Sequence, residues 1–160
     1  MVAALRLEVT GAVQGFELPE DYTRQRRVLR SLLGGAVDGA VYHRRALLHV
    51  HGHGALSVGR DLNAAAWALA STWRGAELPC GLYGTAVVTG PNLGNGGCDD
   101  LDDDLAGQVQ SVCEATSRVL TEWVDCPPEG EAQARAQLLG ATVIGRAAAG
   151  RGSIPRPIRQ

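Results

Sequence analysis

The four histidines of this chain sit together, at positions 43, 49, 51 and 53. His49, His51 and His53 alternate with other residues, and alternate residues of an extended strand point to the same face. That spacing lets His49 and His51 chelate one divalent metal ion, zinc being the natural choice for imidazole. His53, or a carboxylate from the run Asp99 to Asp104, would supply a third ligand. A metal so held would lower the pKa of its bound water and provide hydroxide near neutral pH, the chemistry of a metal-dependent hydrolase. The structural alternative is an exposed strand end carrying adaptable polar side chains.

The acidic run Asp99, Asp100, Asp102, Asp103 and Asp104 suggests calcium or magnesium, but it lacks the EF-hand spacing and its closing glutamate. Carboxylates at the start of a helix also complement the positive end of its dipole, and that explanation needs no ion. Just before it, Gly90-Pro91-Asn92-Leu93-Gly94-Asn95-Gly96-Gly97 has the glycine content of a phosphate loop. It has neither the G-x-x-x-x-G-K-[ST] nor the G-x-G-x-x-G pattern, and the aspartates behind it would repel phosphate. No G-x-S-x-G elbow occurs. Cys80, Cys98, Cys113 and Cys126 form no C-x-x-C pair, which argues against a closed zinc knot. A dyad between Cys80 and a histidine has no local motif behind it.

The elements that must position these groups follow from periodicity. Leu5 to Thr10 alternates apolar and polar residues as a half-buried strand does, and Gln14 to Leu18 reads as its hairpin partner. Asp21 caps a predicted helix from Tyr22 to Leu33, which Gly34-Gly35 ends. Ala36–His43 and Ala46–His51 are the next strand pair. Leu48 and Val50 share one face of the second strand; Leu47, His49 and His51 share the other. A short return strand is expected at Ala55–Val58. Asn63 or Asp61 caps a helix over Ala64–Trp73 that has no wet face and must be buried. Leu82–Thr89 is the most strand-like run. A long helix follows from Asp99, its apolar residues from Leu101 to Trp123 spaced 3.6 apart, and Pro127-Pro128 ends it. Glu129–Leu139 is a last helix. The order β-β-α-β-β-(β)-α-β-α-α predicts an α+β fold: a mainly antiparallel sheet packed by two to three helices, with a long C-terminal helix. Residues 1–142 form one domain, and 143–160 read as a basic, disordered tail.

At 160 residues the chain can bury a core without disulfide or metal. All fifteen basic residues are arginine, a bias that GC-rich coding explains as well as selection for arginine forks does. Residues 1–74 hold nine arginines against six acids, 75–133 one against eleven, and 134–160 five against none. Such asymmetry marks either an interaction surface or segments that neutralise each other in the fold. A net charge of −2 excludes an overall basic nucleic-acid binder, leaving weak phosphate contacts by the tail. No apolar run is long enough for a membrane span. Arg6 and Glu8 interrupt the N-terminus before a signal-peptide core forms, so reduced thiols and a cytoplasmic location are expected.

Four segments carry a family likeness. They are Leu33-Gly34-Gly35-Ala36-Val37-Asp38-Gly39-Ala40-Val41, the strand Ala46–His51 with its turn, Gly59-Arg60-Asp61-Leu62-Asn63-Ala64-Ala65-Ala66, and Tyr83-Gly84-Thr85-Ala86-Val87-Val88-Thr89-Gly90. Over roughly residues 5–105 the chain resembles domain of unknown function 3846, found in actinobacteria, their phages and mobile elements. His51-Gly52-His53 replaces the acidic turn of that pattern, and the C-terminal third has no counterpart. The resemblance brings no catalytic residues. It implies a non-enzymatic accessory protein of a phage or mobile element that binds a small host molecule, such as a signalling nucleotide, or a host protein. His51, Arg60, Asp61, Asn63 and Tyr83 are the expected contact residues, because they border turns beside the two best core elements. Asn63 has the competing role of a helix N-cap. No cofactor is expected on this reading. A third reading is a dimeric interaction module, with the apolar stripe of the long helix meeting a second copy.

Overall fold

The computed structural model describes residues 1–52 and 60–151, with 144–151 by backbone alone. Nine elements follow one another: β1 (Val2–Leu7), β2 (Val13–Leu18), α1 (Tyr22–Leu33), β3 (Val37–His43), β4 (Ala46–His51), α2 (Ala64–Arg74), β5 (Ala86–Thr89), α3 (Asp103–Asp125) and α4 (Glu131–Arg151). The predicted α+β order holds, and the sheet is antiparallel throughout. The expected return strand at Ala55–Val58, with His53, lies outside the described residues.

Strand order is β2-β1-β5-β4-β3. Two hairpins, β1–β2 and β3–β4, are joined through β5, which pairs with both β1 and β4. Alternation sorts the side chains into two layers. Leu5, Leu7, Ala46, Leu48, Ala86 and Val88 face α2, α3 and Leu138 of α4 in the larger core. Val2, Ala4, Leu18 and Val87 face Leu29 and Leu33 of α1 on the opposite side.

Each helix follows its residue types. The Asp21 carboxylate accepts from Arg24 N at 3.0 Å, and Gly34 ends α1 in the left-handed conformation. Every residue of α2 from Ala64 to Ser71 is buried, as its unbroken apolar run requires. On α3, Leu105, Val109, Val112, Cys113 and Val119 pack into the chain's own core, so the stripe considered for a second copy is covered from within.

Boundaries shift for physical reasons. β1 starts at Val2 rather than Leu5 because a strand covered on both faces need not alternate. α3 starts at Asp103 rather than Asp99. Residues 99–101 instead run extended: Gly90 N donates to Asp99 O, Asp99 N to Pro91 O and Leu101 N to Ala3 O. The aspartates are thereby divided among local tasks. Asp100 accepts from Ala3 N, Asp102 caps α3 through Leu105 N and pairs with Arg45 at 2.5 Å, and Asp103 and Asp104 fill the first turn. The last helix runs past Leu139 to Arg151, through nine residues read from sequence as tail. Its alanines favour helix, and its glycines lower that propensity without stopping it.

Candidate functional site

On the α1 face, three segments enclose a cleft of about 280 Å³. α1 contributes Tyr22, Gln25, Arg26 and Leu29; the β3–β4 hairpin contributes Val37, Gly39, Val41, Leu47 and His49; the glycine-rich loop contributes Asn92, Gly96 and Cys98. The volume sits at the small end of the roughly 300–1,000 Å³ typical of ligand pockets.

The loop is held against α1 by side-chain amides. Gln25 lies on the buried stripe with Leu29 and Leu33. Its Nε2 donates to Pro19 O at 3.1 Å and its Oε1 accepts from Cys98 N at 3.0 Å. Within the loop Gly94 N donates to Asn92 Oδ1, Gly97 N to Asn95 Oδ1 and Leu93 N to Gly97 O. Those amides are engaged inside the loop, which is a folded hairpin tip rather than a phosphate cradle. Gly96 has φ +88°, and a Cβ there would meet the Tyr22 ring at 2.9 Å.

His49 is the buried polar group of the cleft, 5% exposed. Its Nε2 lies 2.9 Å from Thr89 Oγ1, and that hydroxyl donates to Gly90 O at 3.0 Å. A hydroxyl has one proton, so the network assigns the Nε2 proton to His49 as donor and leaves a lone pair on Nδ1. Burial, reinforced by the Arg26 cation, holds the imidazole well below its ordinary range, to about 4, so the ring is neutral at physiological pH. Nδ1 lies beside Gly39, the register partner of His49 on β3; a Cβ on Gly39 would stand 3.8 Å from it. The missing side chain keeps the space over the acceptor open.

Cys98 Sγ lies 3.8 Å from the same Nε2. Sequence considered Cys80 as the thiol partner of a histidine; the fold brings Cys98. The pair lacks the signature of an activated nucleophile. Burial pushes the Cys98 thiol up, against a smaller opposing effect of Thr89, and Nε2 already carries its proton. Arg26 is exposed at the mouth, and among the described residues it has no ion-pair partner. Among the described residues no aspartate or glutamate lines the cleft.

The contact residues expected from sequence cluster at another corner. Arg60 donates from Nη1 to Leu33 O at 2.9 Å and from Nη2 to Gly34 O at 3.2 Å, closing the C-terminal end of α1. His51 lies over Gly35, where a Cβ would come within 2.9 Å of its Nε2. Asp61 O accepts from Gly84 N, and Leu62 bridges to Tyr83. Asn63 is fully buried: Oδ1 accepts from Ala66 N, and Nδ2 donates to Leu7 O at 3.1 Å and Gly84 O at 2.9 Å. Its amide is therefore both the N-cap of α2 and a tie to β1. Tyr83 turns to the opposite layer, where with Leu62, Trp67 and Trp123 it lines a cavity of about 250 Å³. The indole N–H groups there are already bonded, Trp67 to Leu78 O and Trp123 to Gln137.

No family model, curated protein or solved structure matches this chain. These comparisons add no support to the likeness to domain of unknown function 3846. His49 and His51 do share a face of β4, as predicted, but His49 commits Nε2 to Thr89, and His53 lies outside the described residues. Among the described residues no three His, Cys, Asp or Glu side chains are placed to hold a metal ion, so the metal-dependent hydrolase gains no support. No described helix is long and apolar enough to cross a membrane.

Sequence reasoning identified His49 but missed Gln25, Arg26, Gly39 and Cys98. Gln25 left a signal: it extends the Leu29–Leu33 stripe one turn back, and a polar residue in a buried stripe requires partners.

Proposed function

We propose that this chain is a ligand-binding protein whose site is the cleft between α1, the β3–β4 hairpin and the glycine-rich loop. The observation that carries this reading is His49, buried to 5% exposure with a hydrogen-bond acceptor left open over Gly39. A ligand N–H or O–H that reaches this acceptor adds one hydrogen bond, a net gain of about 0.5–1.5 kcal/mol. The apolar walls from Leu29, Val37, Val41 and Leu47 provide the remaining contact area. The Cys98–His49 pair is held neutral, which suits binding rather than nucleophilic turnover. The accessory role in a phage or mobile element rests on the family likeness and is compatible with a binder.

A thermal-shift screen of small metabolites, neutral and charged, nucleotides among them, tests the reading. A hit should raise the melting temperature of the natural chain, and Gly39→Val, which covers Nδ1, should abolish the shift. Silence across the panel at micromolar sensitivity, or hits indifferent to Gly39→Val, would sink it.

A further inference from the structure

We infer that the cleft selects an anionic heterocycle: an apolar ring bearing an N–H that donates to His49 Nδ1, with a phosphate or carboxylate on a short arm reaching Arg26. The inference rests on the binding reading above and adds the chemical class. Three observations converge on it. The inner wall offers an acceptor and not a donor at Nδ1, because Thr89 fixes the Nε2 proton. That excludes a carboxylate or carbonyl at the bottom of the cleft and calls for an N–H or O–H. The mouth carries the Arg26 guanidinium, with no aspartate or glutamate in the lining and no carboxylate paired to it among the described residues. Arg24, Arg27 and Arg30 lie on the same helix, and its acid, Asp21, stands at the cap rather than among the lining residues. The two polar demands also lie on opposite walls, one on the sheet and one on α1. A single small ion such as free phosphate meets the second and leaves the first unmet.

The recognising chemistry is that of a nucleobase-like ring with its own negative charge. A bidentate arginine fork suits either phosphate or carboxylate.

Calorimetric titration of the full chain with four probes decides the matter: a purine nucleoside 5′-monophosphate, the parent nucleoside, the free base and inorganic phosphate. The monophosphate should bind at least tenfold more tightly than the nucleoside. Arg26→Gln should bring the monophosphate down to the affinity of the nucleoside and leave the nucleoside unchanged. Gly39→Val should weaken every base-containing probe tenfold or more. Arg26→Gln should keep the natural melting temperature, since Arg26 is exposed, and Gly39→Ala, whose Cβ finds ordinary contact distances, should keep it too while weakening the same base-containing probes in part. A carboxylate analogue, the nucleoside 5′-carboxylate, should follow the monophosphate and show whether charge or phosphate geometry is read. Equal affinity for nucleoside and monophosphate would overturn the anionic class while leaving a binding site in place. Phosphate binding as tightly as the monophosphate would overturn it too, as a loose anion on the α1 arginines. Absence of heat with all probes would reject the class, and the broader metabolite screen would then show separately whether the cleft binds anything.

Discussion

His49 couples the site to stability. Its folded pKa is depressed from the ordinary 6.5 to about 4, by burial first and Arg26 second. Between those values the unfolded chain binds a proton that the folded chain resists, so stability falls as pH drops from about 6.5 toward 4. The full depression corresponds to about 3 kcal/mol. His49→Asn keeps a donor for Thr89 and removes the titration. Denaturant unfolding of both proteins at pH 7 and pH 4.5 should show the natural chain losing about 2–3 kcal/mol more than the variant. Equal losses would mean the imidazole is hydrated or charged in the folded state. Asn63 gives a second prediction at this scale. Asn63→Ala removes the cap of α2 and two donors to buried carbonyls, and should cost about 3 kcal/mol. Asn63→Asp preserves the cap but turns a carboxylate toward Leu7 O and Gly84 O, so it should be the worse of the two in urea unfolding.

At the scale of elements, the extended segment 99–101 depends on Gly90. A Cβ there would stand 2.1 Å from Asp100 O, a backbone atom that moves only with the whole segment. Gly90→Ala should therefore lower stability by about 3 kcal/mol, roughly 6–12 °C in melting temperature for a chain of this size. A shift under two degrees would show that the segment yields freely. Arg60 ties the end of α1 to the start of α2 with two charge-assisted bonds. Arg60→Ala should cost about 2 kcal/mol, and Arg60→Lys should recover part of it, since an ammonium cannot fork between two carbonyls. The sequence was legible where local chemistry decides. Asp21, Gly34 and the 3.6-residue period predicted α1 from about Tyr22 to Leu33, where it lies, and the unbroken apolar run predicted the burial of α2. It was illegible where partners come from afar. Asp99 and Asp100 read as the beginning of a helix, yet Gly90, Pro91 and Ala3 draw that segment out. Arg60 reads as a ligand contact because nothing in its own neighbourhood reveals the carbonyls of Leu33 and Gly34. The candidate site was half legible for the same reason: the strand face of His49 follows from alternation, whereas the thiol beside it comes from a loop 49 residues away.

For the whole molecule, the two layers divide the thiols. Cys98 and Cys113 are buried, one on each side of the sheet, and Cys80 and Cys126 are exposed. Burial pushes Cys113 to about 12. A thiol reagent at pH 8 should modify two cysteines within minutes and two more when denaturant is added. Rapid reaction of a third would show that the loop carrying Cys98 opens. The placement of β5 has a temporal consequence. The strand that joins the two hairpins is the last of the five to be synthesised, so on the ribosome β1 and β4 each wait with one bare edge until residues 86–89 emerge. Such edges are templates for pairing with another chain. Synthesis slowed between residues 52 and 86 should thus favour inclusion bodies over native protein, and Val87→Pro, which denies β5 its ladder, should send most of the product to the pellet.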